Sequence, residues 1–418
     1  MNNNFLNLSF NRAKDNWSAI LILSALFLFS TKTLFNIPLT LMAIIGLYRL
    51  IKVPALIKLH ETRLACLLFL CLWLPMFLAL LDAEELYHSA KTTLLYIHFL
   101  FSCIFMVSEL RKKETLQKVI FGIFIIMTFF CFDATLQFFT GENLFGYPYS
   151  STILGGMFYP KNTLAHFLAL LSPVYFEYIR RHKNKYWKYI CLLIYLCILL
   201  LGGKRSAWIM FLSGGVLYTA YLMFISKTIE YKKLLAPAIL IIFVLSTLSL
   251  SYPPLKKRLI VTSGLFSGNY ETINKATAMR LSIWETGIKI YSAHWINGIG
   301  SRGFRHAYAN YADADNFFLS NGRSGQTHPH LTILEIVVET GVVGLSGYIL
   351  FWVIFAKYAC YLLRSKYTSG VAWLITVMLA ILPYNAHLAF YGSYWASAIW
   401  WVIPFFIVYA HHEDVLHS

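Results

Sequence analysis

Charge is scarce in this sequence, and negative charge most of all. Of its 418 residues only 13% are charged, with 19 Asp or Glu against 35 Lys or Arg. A typical soluble chain carries about 25% charge, so a string of soluble domains is excluded. Cysteine is sparse too. Cys66, Cys71, Cys103, Cys131, Cys191, Cys197 and Cys360 all lie inside apolar runs, none at zinc-ligand or redox spacing. They read as small hydrophobes and give no disulfide framework. There is no P-loop, no G-x-S-x-G elbow and no H-E-x-x-H helix, which removes the usual signatures of nucleotide binding, serine hydrolysis and zinc proteolysis. The glycines of INGIGSRGF (Gly298, Gly300, Gly303) lack both the spacing and the βαβ setting of a dinucleotide site.

What fills the chain instead is apolar: 58% hydrophobic and 17% aromatic, with positive mean hydropathy. Apolar windows fall at 17–35, 37–50, 63–81, 89–108, 117–139, 163–179, 186–202, 206–225, 233–252, 340–360, 370–387 and 393–410. They predict an all-α polytopic membrane protein of about twelve transmembrane helices. Arg12 and Lys14 precede the first window, but no small-residue cleavage site follows, so that window is read as a retained helix rather than a signal peptide.

The connections alternate in charge. Arg49, Lys52, Lys58 and Arg63 mark one basic connection; Arg111, Lys112, Lys113 and Lys118 mark the next. Arg180, Arg181, Lys183, Lys185 and Lys188 follow, then Lys227, Lys232 and Lys233, then Lys357, Arg364 and Lys366. The connections between them are poor in cations, and LDAEEL is acidic. By the positive-inside rule the basic side is cytoplasmic, with both termini on it.

Two places on the external side break this economy of charge. The turn GGKRSAW carries Lys204 and Arg205 where cations are disfavoured. The long segment 253–330, between the ninth and tenth spans, is predicted to be an external loop within a single membrane domain. It holds Lys256, Lys257, Arg258, Lys275, Arg280, Lys289, Arg302, Arg305 and Arg323 against only Glu271, Glu285, Asp313 and Asp315. Such a face calls for an anionic partner. Nucleic acid is unsuited to this setting; phosphates on a lipid carrier or glycolipid suit it, because guanidinium groups grip phosphate bidentately. Membrane lipid headgroups would satisfy the same cations.

The loop ends in THPHLTILEIVVETGVVG. His330, at the mouth of the next span, can accept a proton near neutral pH and so serve as a general base. His328 lies two residues away, and Pro329 between them is expected to turn the two rings apart. Two ligands at that spacing with no third make a poor zinc site. Glu335 and Glu339 share one helix face. With Asp133 they are intramembrane carboxylates, as often structural as functional. Asp313 and Asp315 in DADADN read as a solvated loop, since the EF-hand glycine and distal Glu are missing.

Four ordered segments, taken together, resemble the bacterial O-antigen ligases, within the wider group of ligases and polymerases that handle lipid-linked polysaccharide. GMFYPKNTLAHFLAL is similar to the family's G-x-F-x-N-P-N-x-x-A, with Pro160 and Asn162 in step and Tyr159 replacing an Asn. GGKRSAW is similar to its S-R-G-A turn, centred on Arg205. AMRLSIWETGIKIYSAHWINGIGSRGF keeps the Arg, the aromatic and the G-x-G-x-x-x-F through Arg280, Trp284, Gly298, Gly300 and Phe304. In the last segment His330 precedes Thr332–Thr340 and then Gly341 and Gly344, with Leu331 where the family has a polar residue.

The resemblance implies a fold like that of polyprenyl-phosphate-dependent membrane glycosyltransferases. It also implies transfer of preassembled polysaccharide from undecaprenyl pyrophosphate to a sugar of lipid A–core at the periplasmic face, inverting, with no metal or other cofactor. Arg205 and Arg280 would hold the pyrophosphate and His330 would be the base. Lys204, His328, Asn162, Lys161, Arg302 and Arg305 would bind substrate. An O-antigen polymerase using the same donor is the nearest rival. A transporter of lipid-linked oligosaccharide is another, but no repeated halves are visible in the sequence.

Overall fold

The computed structural model describes residues 16–150, 152–320, 323–365, 367–386 and 388–411. Arg12, Lys14, Lys366 and both termini therefore lie outside the described residues. The chain is helical throughout, with two isolated bridges (Glu142 with Pro148, Ser150 with Ile153) as the only β pairing among them. In order come α1 (Asn16–Leu28), α2 (Asn36–Lys52), α3 (His60–Leu78), α4 (Leu86–Leu110) and α5 (Lys113–Thr140). Next are α6 (Leu164–Arg181), α7 (Lys185–Leu201), α8 (Arg205–Ala220) and α9 (Leu235–Ser251). The chain closes with α10 (Pro253–Ser263), α11 (Tyr270–Ala276), α12 (Arg280–Ala293), α13 (Phe304–Tyr311), α14 (Thr332–Ser365), α15 (Thr368–Ile381) and α16 (Ser393–His411).

Every expected window falls on a helix. By length and composition, however, six helices can cross a membrane, or seven if α9 and the turn-bent α10 (105° between them) make one broken span. Helices α1, α7 and α15 are apolar but short, so a full count of twelve crossings does not follow. The structure supports a polytopic helical membrane protein at this coarser level.

The helices assemble around α16. That helix is apolar on all sides, and a helix of that kind must be buried. Its indoles each find an acceptor: Trp401 Nε1 donates to Ile22 O of α1, Trp400 to Tyr96 Oη of α4, and Trp395 to Ala380 O of α15. Large apolar side chains on the outer faces of α2, α5, α8 and α9 stay exposed, as lipid-facing residues do.

Polar chemistry sorts to two opposite ends. At one end buried carboxylates collect the predicted inside cations: Glu109 pairs with Arg49 at 2.6 Å, Glu61 with Arg111 at 3.4 Å, and Glu177 with Arg180 and Arg181 at 2.7 and 2.8 Å. The other end gathers the predicted outside connections. Asn297 donates to Asp82, Glu84 N to Ile299 O, Arg258 to Thr152 O, and Thr332 N to Asn385 O. The 253–330 segment is not an open loop. It folds into α10 to α13, helices too short and too polar to register as apolar windows.

Candidate active site

Helices α8, α10 and α12 enclose a cavity of about 430 Å³ at this second end. Lys204, Arg205, Arg258 and Arg280 line it, together with Trp284 and Leu331, and no Asp or Glu does. Local backbone geometry brings these cations in. Gly203 sits at φ 60°, and a Cβ there would come within 3.0 Å of the Arg258 guanidinium carbon. Glycine therefore leaves room for Arg258, which donates to Gly203 O and, at 3.1 Å, to Thr152 O. Arg205 then opens α8 and donates to Ala276 O and to Thr262 Oγ1 at 3.3 Å. Arg280 opens α12 after two left-handed residues, Ala278 (φ 61°) and Met279 (φ 62°). Asn274 holds that reversal: its carbonyl accepts from Met279 N at 2.7 Å and its Oδ1 from Leu281 N at 3.2 Å.

Two arginines at the first positions of two helices put both the guanidinium forks and the positive helix ends toward one cavity, which is how proteins receive phosphate. The electrostatics agree. Burial, and then the Arg205 guanidinium, push Arg280 down to about 10. Burial, and then Arg258, push Lys204 below its ordinary value. Two like unit charges about 4 Å apart repel by about 4 kcal/mol at an effective dielectric of about 20. No acid lines the cavity to offset this repulsion.

The His-Pro-His segment borders this cavity. Trp284 Nε1 donates to Pro329 O at 3.1 Å, and Leu331 lines the wall. Beyond it, Thr332 N and Ile333 N donate to Asn385 O and Pro383 O. His330 between them is in the left-handed region at φ 53°, a conformation that costs a non-glycine residue about 1 kcal/mol or more. That reversal folds its ring back onto His328, with centroids 3.8 Å apart. The expectation that Pro329 turns the rings apart is thus corrected: the proline restricts His328, but the left-handed His330 returns the chain. His328 also lines a second cavity, of about 530 Å³, with Arg302 and Arg305. The nine predicted site residues therefore divide: Lys204, Arg205 and Arg280 share the first cavity, His328, Arg302 and Arg305 the second, and His330 lies between.

Lys161 and Asn162 line neither cavity. Lys161 Nζ lies 3.7 Å from the Tyr394 ring centre and donates to Lys32 O at 2.7 Å. Burial, and then Lys32, push it down to about 8. Asn162 sits at φ 52° with its Oδ1 tight against Gly155. The same segment supplies instead a residue not anticipated from sequence, His166, whose Nε2 meets Ser206 Oγ at 3.0 Å behind the first cavity. The other is Arg258, one of nine loop cations with nothing in its neighbours to mark it.

The carboxylates are held by backbone amides and by neighbouring side chains. Glu339 Oε2 accepts from Arg302 N at 2.6 Å and Glu335 Oε1 from Tyr391 N at 3.2 Å. Asp133 accepts from Asn143 Nδ2 and Leu144 N, both at 3.1 Å. Asp313 pairs with Lys289 at 2.6 Å.

The fold is that of a multi-pass helical membrane protein, with a cavity at one end lined by four cations and no acid. Residues 190–349 match the family model described as O-antigen ligase. A transfer function of the ligase or polymerase type in lipopolysaccharide biosynthesis goes with that family. The matched segment contains all four cavity cations and the His pair, and stops short of Lys161 and Asn162. No curated protein matches the chain.

Proposed function

We propose that the protein is an O-antigen ligase of the bacterial inner membrane, working at the periplasmic face. It transfers a preassembled polysaccharide from undecaprenyl pyrophosphate to a sugar of lipid A–core. The observation that carries this reading is the four-cation, acid-free cavity with His330 one residue from its wall. The donor's pyrophosphate lies between Arg205 and Arg280, and Lys204 and Arg258 add charge. Ile209 and Leu265, which line the cavity and are exposed on the outer surface, open it toward the bilayer for the polyprenyl tail.

The acceptor hydroxyl oxygen attacks the anomeric carbon from the face opposite the leaving group, so the new glycosidic bond is inverted. As the carbon–oxygen bond to pyrophosphate breaks, its electron pair passes to the phosphate, and the charge that grows there meets guanidinium forks already in position. His330 takes the hydroxyl proton. Its strained backbone supports the assignment: glycine would hold the same reversal at lower cost, so the imidazole has a use of its own.

The test is reconstitution of purified protein with lipid-linked polysaccharide and lipid A–core, with product followed on a gel. His330→Ala should lose transfer by about a hundredfold, as a removed general base does, and His328→Ala should lose less. A dead His328→Ala beside an active His330→Ala moves the base to His328. Cells distinguish the polymerase: loss of a ligase leaves polymer on its carrier, whereas loss of a polymerase leaves single-unit caps on the core.

A further inference from the structure

The second cavity has no assigned role, and its chemistry differs from that of the first. It is built from α4, the 302–305 turn, the His328 edge and the segment entering α16. Its cations are Lys91, Arg302 and Arg305, and no acid lines it. Behind Arg302 stands the buried Glu339, whose Oε2 accepts from Arg302 N at 2.6 Å. Lys91 and Arg305 are exposed and form no ion pair among the described residues. The remaining wall is apolar and aromatic, including Leu95, Phe99 and Trp395. A cationic rim over an apolar and aromatic wall fits an amphiphile with an anionic sugar head. The volume lies within the range of small-ligand sites.

Location decides what this amphiphile is for. The segment from Thr327 to Leu331 separates the two cavities: Leu331 faces the first, Thr327 and His328 face the second. A displacement needs its nucleophile and its leaving group on opposite sides of the reacting carbon, and a base within reach of the nucleophile.

We propose that the second cavity is the acceptor site, that it recognises an anionic group (phosphate or carboxylate) on the acceptor glycolipid through Lys91 and Arg305, and that the His328–His330 pair is the wall across which the glycosidic bond forms. This rests on the ligase reading above. Lys91 and Arg305 are then specificity residues: they select a charged acceptor and leave the donor's pyrophosphate to the other cavity.

The experiment uses the full chain in phosphatidylcholine nanodiscs, comparing wild type with Lys91→Gln/Arg305→Gln. Binding of lipid A–core is measured without donor, and transfer is measured over ranges of each substrate. The double variant should weaken acceptor binding and raise the acceptor KM tenfold or more, while the donor KM stays where it is. Acceptor stripped of its phosphates should bind the wild type as weakly as the native acceptor binds the variant. Unchanged acceptor binding in the variant overturns the proposal, as does an equal rise in donor KM. Competition by phosphatidylglycerol nanodiscs that abolishes acceptor binding also overturns it, assigning the cations to bulk lipid headgroups. If the wild type transfers nothing yet binds acceptor more tightly than the variant, the ligase reading falls and the binding site stands.

Discussion

Replacing Arg280 with methionine should make the protein more stable and less active at once. Its guanidinium forms no hydrogen bond or ion pair among the described residues, so its removal leaves no partner stranded, and methionine keeps much of the apolar stem. What is removed is an unfavourable charge. A guanidinium pushed down from its ordinary value to about 10 carries an upper-bound penalty of about 3 kcal/mol, which solvent at this half-buried position screens to about 1 kcal/mol. Below pH about 10 the group is protonated in both folded and unfolded chains, so the penalty is present in full. Above about 10 the folded chain gives up its proton before the unfolded chain does, and the penalty fades. At neutral pH, Arg280→Met should therefore melt on the order of 1–2 °C above wild type in the same detergent. Transfer should fall by about 10²–10³, the usual effect of deleting one donor from an oxyanion site. Arg280→Lys should regain only part of it, since a point charge cannot replace the fork. Melting several degrees below wild type would mean that the guanidinium holds α12 in place. Transfer at the wild-type rate would remove it from the site.

Two further outcomes follow from the same geometry. The depressed Arg280 predicts an alkaline limb near pH 10 in kcat/KM for the donor, moved to higher pH in kcat because bound pyrophosphate restores the proton's affinity; a profile flat to pH 11 contradicts it. Gly341→Ala should destabilise by about 3 kcal/mol or more, because a Cβ at φ 63° and ψ −160° collides with Ile296 O; a melting temperature within a degree of wild type disproves the close approach.

The sequence announced helices wherever the apolar run was long, because burying or lipid-facing twenty apolar residues leaves the backbone no other choice. It announced the two ends of the molecule through the alternation of Lys and Arg. It missed α10 to α13 because short polar helices are held by tertiary contacts: Asn274 sets the start of α12, and no local periodicity encodes that. Its count of about twelve spans goes beyond what helix length carries, since α1, α7 and α15 are apolar but short. At the site, Arg205 and Arg280 stood out by their surroundings. Arg258 looked like the other unmarked cations of its segment, and only the fold brings it to Gly203. Lys161 and Asn162 were carried by proximity to a motif, and their side chains pack behind Tyr394 and against Gly155.

The spacing that first drew attention to His330 has a mechanical cause. Helices α12 and the first part of α14 pack side by side and run in the same direction. Trp284 meets Pro329, Gly287 meets Leu334 with no room for a Cβ to stand clear, and the carbonyls of Trp295 and Ile296 accept from Val342 and Val343. The last contact is possible only because Gly341 breaks the helix, and Gly298 at φ 71° lets the opposing backbone close against Glu339 and Thr340. The glycines of the two motifs are thus one joint. Nine residues of helix, about 14 Å, separate that joint from the histidine, and Arg280 begins the parallel helix at the same level. The joint fixes where α14 starts relative to α12, and so fixes where His330 stands relative to Arg280. Changing the count by one residue would rotate the histidine's attachment by about 100°, which is why the interval matters more to this site than the identity of the residues within it.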